Sequence, residues 1–470
     1  MRSFCMPPVD SMRLASASDL PLLVSPPSRN GSPPKRWLLV HPRNPARLLV
    51  ETFSKPSLPL GLLMVATLAQ QHFPVTLRDE RIGESVPEDF SAYDVVAITA
   101  RTVNVRRAYQ IADQALAQGR RVILGGVHPT MQPDEARQHA SAVVLGEIES
   151  VWDELVADVQ HDTLKPLYQA QTLKPLTDIE HADFELLRTP VRQGKYAFRI
   201  PLVGTKGCPV GCTFCCTPQI YGKVYRTRTP EHVIAEIQYH QARLGRRALH
   251  FSFMDDNISA RSVFIEELLE RMIGLGVRWN ANISMNFLQQ PHIPELARRA
   301  GCEVLNIGFE SLDPETIKQM GKGSNRIGMY DTVVANVQRH GIAIQGYFIF
   351  GLDTDTEASF AETYAFIMRN RIEMPVFTLA TPFPGTPWYA EMQPRLQHKN
   401  WDKYDVQHSV YVPAKLDQER LLTNYIKLYR EVFSWRGIQR RLNWNRPSWV
   451  TLANVGIHFF AQRLKPQQFV

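Results

Sequence analysis

The sequence contains no apolar run approaching the roughly 18 residues that a membrane span requires, which excludes a transmembrane helix as its organising element. Cysteine is scarce as well: there are six in 470 residues, and four of them crowd into residues 208–216. That distribution cannot build a disulfide framework, and reduced thiols point to a reducing, cytoplasmic compartment. No second C-x-x-C pair exists to complete a four-cysteine zinc site. Residues 1–34 show no periodic apolar pattern and are rich in Pro and Ser, so a disordered N-terminus is expected there, with Cys5 free. Its L-P-L-L-V at 20–24 is too short for a signal-peptide core and is interrupted by Pro21. From Val432 to Val470 there is no Asp or Glu.

That last absence concentrates charge. Arg436, Arg440, Arg441, Arg446, Arg463 and Lys465 supply six of the seven excess positive charges, interleaved with Trp435, Trp444, Trp449, Phe459 and Phe460. Such a tail reads as a solvated helix face or as a membrane-surface helix. No nucleic-acid module accompanies it, so nucleic acid is not an expected partner.

From residue 36 onward, strands and helices alternate. The runs at 37–40, 94–99, 121–126 and 142–146 read as buried parallel strands, with helical patterns at Pro59 to Gln71 and Val105 to Gln118 between them. Alternation of this kind predicts a doubly wound sheet with ligands at the carboxyl ends of its strands. Gly125-Gly126-Val127-His128-Pro129-Thr130 and Gly146-Glu147 lie at two of those ends. A helix near Val151–Val159 leads into an extended linker, in which P-L-Y stands at 166–168. Six further strand-like runs follow, at 201–206, 248–254, 277–284, 303–309, 342–350 and 375–380, each trailed by a helical stretch. A helix at 416–433 opens the C-terminal part.

Directly after the first of these six runs comes V-G-T-K-G-C-P-V-G-C-T-F-C-C-T, residues 203–217. Cys208, Cys212 and Cys215 stand at C-x-x-x-C-x-x-C, and Gly207 and Gly211 permit the tight bends that let three thiolates converge. Thiolates select iron–sulfur clusters or zinc. Three on one loop suit a 4Fe–4S cluster with one iron open to a substrate or cofactor. This spacing, with Phe214 before the last cysteine, resembles the signature of radical S-adenosylmethionine (SAM) enzymes. Cys216 is expected to stand outside the ligand set, since a fourth thiolate would close the open iron, and Cys302 reads as core.

A second resemblance lies in the front half. P-L-G-L-L at 59–63, G-G-V-H-P-T and G-E-I-E are similar to the cobalamin-binding domain fused to many radical SAM enzymes. The cobalt-ligating motif D-x-H-x-x-G is missing; Asp79-Glu80-Arg81-Ile82-Gly83 is the nearest approach, with Arg in place of His. Together the two resemblances imply an α/β chain. A Rossmann-like cobalamin domain (35–160) would be followed by a linker (161–200), a partial (β/α)6 barrel (201–395) and a helical extension (396–470). They imply Cys208, Cys212 and Cys215 as catalytic cluster ligands. They further imply Phe214, Asp255, Asp256, Ser284 and Glu310 at the SAM site, and Gly125, Gly126, His128, Gly146 and Glu147 around cobalamin. Asp255 and Asp256 would replace the family's G-G-E, although helix capping explains them equally well. G-Y-F-I-F-G-L-D at 346–353 and P-F-P-G-T-P at 382–387 resemble the adenine-flanking strand and a turn near the barrel's end. Tyr404, His408 and Tyr411 in the extension read as packing groups.

The chemistry so implied is reductive cleavage of SAM at a 4Fe–4S cluster to a 5′-deoxyadenosyl radical, followed by methylation of an unactivated carbon through cobalamin. The substrate would be a small or lipid-like molecule such as a hopanoid or tetrapyrrole. A flavodoxin or ferredoxin would donate the electron, and the tail leaves room for peripheral membrane contact. Two alternatives stay open at this point: a cobalamin-dependent cyclase or rearrangement enzyme without methyl transfer, and an iron–sulfur protein of electron transfer or redox sensing.

Overall fold

The computed structural model of the chain describes residues 34–45, 55–197, 199–245, 249–443 and 447–470. The disorder expected at the N-terminus, Cys5, Trp444 and Arg446 lie outside the described residues. Two six-stranded parallel sheets organise the rest. The first has the order β2-β1-β3-β4-β5-β6, formed by β1 (Trp37–His41), β2 (Val75–Asp79), β3 (Val95–Thr99), β4 (Arg121–Gly125), β5 (Ala142–Leu145) and β6 (Leu167–Gln169). The central strands are apolar throughout, because helices cover both faces: Leu60–Ala69 and Trp152–His161 pack one side, Val105–Ala117 the other. The order reverses between β1 and β3, and ligands of doubly wound sheets bind at such switch points, outside the strands' carboxyl ends.

Two strands of this sheet are additions to the sequence reading. β2, V-T-L-R-D, is an edge strand that buries only its last residue fully. β6 falls within the stretch read as linker, and joins the sheet through one buried side chain, Tyr168.

The second sheet runs β14-β13-β12-β11-β10-β7, from β7 (Ile200–Leu202), β10 (His250–Phe253), β11 (Arg278–Asn282), β12 (Cys302–Glu310), β13 (Ala343–Phe350) and β14 (Met374–Leu379). Successive parallel strands with helices on one side make an open barrel of six units. Its outward side chains, among them Phe251, Trp279, Leu305, Ile344 and Phe377, form the largest apolar core with the helices. The inward face is polar: Asn280 donates to Ser252 at 3.1 Å, Asn306 to Asn282 at 3.0 Å, and Gln345 to the Tyr347 hydroxyl at 3.0 Å. The run read as one strand at 201–206 divides. After β7 the chain turns at Gly204, and β8 (Thr205–Lys206) pairs antiparallel with β9 (Arg226–Thr227).

The extension wraps the barrel's last strands. Tyr425 and Tyr429, on helix Gln418–Val432, both donate to the Phe377 carbonyl, at 2.9 and 3.1 Å. Arg441 is fully buried beneath helix Ser448–Ala461 and donates to the carbonyls of Val432, Ile372 and Glu373 and to Asn454. The extension also reaches the front sheet, where Trp401 donates to Glu135 at 3.0 Å. Tyr404 and Tyr411 are buried, their hydroxyls bound to the carbonyls of His398 and Gly351, and His408 is held by Asp405, in keeping with packing roles. Among the described residues no helix is long and apolar enough to cross a membrane.

Candidate active site

The cysteine loop leaves β8 at the mouth of the barrel and is pinned from three directions. Asp256, at the end of β10, accepts from Gly207 N at 3.2 Å and from the Thr217 hydroxyl at 2.8 Å, so one carboxylate ties the loop's two ends together. Thr213 N donates to the Met320 carbonyl at 3.0 Å, and Thr213 O accepts from Trp388 N at 3.2 Å. Gly207 has φ +89°, and a Cβ there would lie 2.1 Å from the Val224 carbonyl, so only glycine fits the turn. Cys208, Cys212 and Cys215 are free, partly buried and close enough that their thiolates repel one another. Burial pushes the Cys212 thiol up to about 11 and Cys216 to about 12, so an uncharged loop holds them as thiols. Among the described residues no three His, Cys, Asp or Glu side chains converge as tightly as a single metal ion needs. Three thiols on one loop offer soft ligands of the kind that suits iron–sulfur.

The other residues expected at the SAM site divide. Asp256 lines a cavity between the two sheets. Asp255 turns away from that cavity into the fold, accepts from Gly204 N at 3.2 Å, and burial raises its carboxyl to about 7. Ser284 lies two residues past β11, its hydroxyl 2.8 Å from that of Ser259. Glu310 ends β12 with φ +64°, an unfavourable backbone for a non-glycine residue, of the kind retained where a side chain must be aimed. Its carboxylate pairs with Lys322, which also donates to Gly308 O at 3.1 Å and lies beside Cys212. Phe214 packs into the apolar seam under the loop, beside the front sheet's core.

The cavity is walled on one side by the front sheet and on the other by the barrel. Gly125, Gly126, Gly146 and Glu147, all expected around cobalamin, line it together with Leu60, Met64, Ile98, Val203, Lys206 and Met254. Gly126 has φ +103° and sits against the Ala100 carbonyl, leaving bare backbone on the wall. Glu147 faces protein cations: Lys206 at 3.3 Å and Arg226, while Lys206 also reaches Glu149 at 3.0 Å. This network joins the front sheet to the strand that carries the cysteine loop. His128 departs from expectation. Short helix Val127–Met131 buries it completely, its ring nitrogens 3.2 Å from the Thr102 hydroxyl and 3.3 Å from Glu135, away from the cavity. Arg81, in the histidine-less motif, is clamped to Asp79, which also accepts from the Tyr196 hydroxyl. Among the described residues no histidine lines the cavity.

Sequence reasoning missed Lys206, Glu149, Arg226 and Lys322. Lys206 carried a signal, as the residue between β8's Thr205 and the glycine that opens the loop. Lys322, flanked by Gly321 and Gly323, carried a weaker one.

Comparison with known proteins agrees with this architecture. Residues 202–367 match the Radical SAM superfamily and residues 46–156 the B12 binding domain. The chain is 52% identical over 436 residues to bacteriochlorophyllide d C-12(1)-methyltransferase of Chlorobaculum tepidum, covering 93% of this chain and 95% of that protein. It is 33% identical over 399 residues to bacteriochlorophyllide d C-8(2)-methyltransferase of the same organism, covering 82% and 87%. Among solved structures, the radical SAM methyltransferase TsrM of Kitasatospora setae, with cobalamin and a [4Fe-4S] cluster bound, shares the fold. Its TM-score is 0.66 at 15% identity, over 92% of this chain and 99% of that one.

Proposed function

The chain belongs to the radical SAM superfamily with a B12-binding domain, and from that membership we propose a substrate and a set of working residues. It is a cobalamin-dependent radical SAM C-methyltransferase. The proposed substrate is a bacteriochlorophyllide-type tetrapyrrole, methylated on an alkyl carbon of a ring substituent. One observation carries this: 52% identity, nearly end to end, to a protein named for methylating bacteriochlorophyllide d at C-12(1).

When bound, the cluster with SAM supplies a 5′-deoxyadenosyl radical, and cobalamin supplies the methyl group. The chain's own residues position these groups. Cys208, Cys212 and Cys215 hold the cluster, and Asp256 keeps their loop closed by bonding both of its ends. Glu310 and Lys322, paired beside the loop, offer one acceptor and one cation to the amino and carboxylate groups of SAM. Gly125, Gly126 and Gly146 give cobalamin a backbone wall, and Glu147 with Lys206 fixes that wall to the cysteine loop. A flavodoxin or ferredoxin supplies the electron.

The experiment is anaerobic incubation with bacteriochlorophyllide d, SAM and reductant. We expect a product heavier by one CH2, with one S-adenosylhomocysteine and one 5′-deoxyadenosine formed per turnover. Deoxyadenosine without matching S-adenosylhomocysteine over several turnovers overturns methyl transfer. Bacteriochlorophyllide d left unmethylated, while a parallel incubation supplied with a hopanoid yields a methylated hopanoid, overturns the substrate.

We also propose peripheral membrane contact through the last helices, where a largely apolar macrocycle would be collected. Trp435, Leu452 and Phe459 stand exposed there, with the Trp435 and Phe459 rings 6.2 Å apart, and Arg436, Arg440 and Arg463 are exposed around them. The protein should sediment with phosphatidylglycerol vesicles more than with phosphatidylcholine, and Trp435→Ala with Phe459→Ala should abolish that. Equal sedimentation with both lipids would sink the idea.

A further inference from the structure

Asn257 follows the two aspartates at the end of β10 and is buried. Its amide has one available orientation. Oδ1 accepts from Ser259 N at 3.2 Å and from the Ser259 hydroxyl at 2.9 Å, so a flipped amide would set its NH2 against a backbone donor. The Ser259 oxygen is itself saturated. It gives its hydrogen to Asn257, accepts from Ser284 N at 3.0 Å, and lies 2.8 Å from the Ser284 hydroxyl, which must therefore donate to it. This chain of bonds fixes the other end of the amide, Nδ2, toward Cys208 Sγ at 3.9 Å. No other side chain is recorded donating to that sulfur among the described residues.

We propose that Asn257 is a positioning residue whose amide N–H, clamped by Ser259, donates to the Cys208 thiolate and raises the reduction potential of the cluster. A donor to a ligating sulfur stabilises the more negative, reduced form of a cluster, and hydrogen bonds to the sulfurs are among the factors that set its potential. The proposal rests on Cys208 being a cluster ligand. Ser284 shares a hydroxyl pair with Ser259, so whatever binds Ser284 can pull on the clamp and alter the bond to Cys208.

The competing role for Asn257 is purely local, since its Oδ1 bond to Ser259 N, two residues on, is an Asx turn. Potentiometric titration followed by electron paramagnetic resonance, on the full chain with its cluster and without SAM, separates the two. Asn257→Asp keeps the turn's acceptor and removes the donor; Ser259→Ala keeps the donor and removes the clamp. Asn257→Ala and Asn257→Asp should retain about four iron and four sulfide per chain and titrate at a more negative potential than wild type, with Ser259→Ala shifted the same way by less. A wild-type potential in Asn257→Ala, with the cluster full, overturns the proposal. If Asn257→Ala cannot hold a cluster, Ser259→Ala decides, since the charge added by Asn257→Asp alone lowers the potential, and an unshifted potential in Ser259→Ala overturns the proposal. A full cluster in Cys208→Ala would instead overturn the ligand assignment beneath it.

Discussion

Individual side chains at the barrel mouth divide into those whose chemistry demands a fixed spacing and those whose roles depend on distant partners. The cysteines are of the first kind. Replacing Cys208, Cys212 or Cys215 by Ala should abolish the cluster's visible absorbance and SAM cleavage, because three thiolates leave no spare ligand. Cys216→Ala should preserve both, and equal loss in Cys216→Ala and Cys212→Ala, read by iron content and absorbance, would refute the ligand set. That ligand set is the one C-x-x-x-C-x-x-C predicts. The pairings of Lys206 and Arg226 were not legible, because their partners Glu149 and Glu147 lie 57 and 79 residues away and meet them only once the two halves have closed. His128 misled for a related reason: its G-G-V-H-P-T setting suits a ligand contact, yet helix Val127–Met131 turns the ring inward onto Thr102 and Glu135.

At the level of elements, strands covered on both faces announced themselves as continuous apolar runs, and these include β1, β3, β4 and β5. β2 and β6 stayed hidden, since an edge strand needs few buried side chains and β6 has only Tyr168. The basic tail was legible as helix but not as anchor. Arg441, counted among its surface charges, is wholly buried and caps carbonyls at the end of β14's approach, Ile372 and Glu373. Charge-assisted bonds of this kind contribute about 1.5–3 kcal/mol each, and breaking them strands buried carbonyls. Arg441→Ala should therefore lower stability by about 3 kcal/mol, seen as an earlier denaturant midpoint. Arg440→Ala, one residue away and exposed, should change it by less than about 0.5 kcal/mol. Equal midpoints for the two variants would remove Arg441 from this role.

Taken whole, the molecule brings two parallel sheets together so that neither holds the intervening cavity alone, and no local pattern in the chain could reveal that shared wall. Among the described residues no histidine lines that wall, and His41 and His128 are both buried away from it. Cobalamin in the cobalt(II) state should give a paramagnetic resonance spectrum without nitrogen superhyperfine splitting, unchanged in His128→Ala. A nitrogen triplet would show that a base or imidazole reaches the metal after all. The shared wall has one more consequence, for how the protein is made. Leu60, Met64, Ile98, Val203 and Met254 present apolar surface to it from both halves, and a ligand that covers such surface stabilises only the folded chain, by about 4 kcal/mol at a thousandfold excess over its dissociation constant. A production host that imports little corrinoid therefore leaves those apolar faces uncovered in the newly made chain, and the yield of soluble protein should rise with the vitamin supply of the culture.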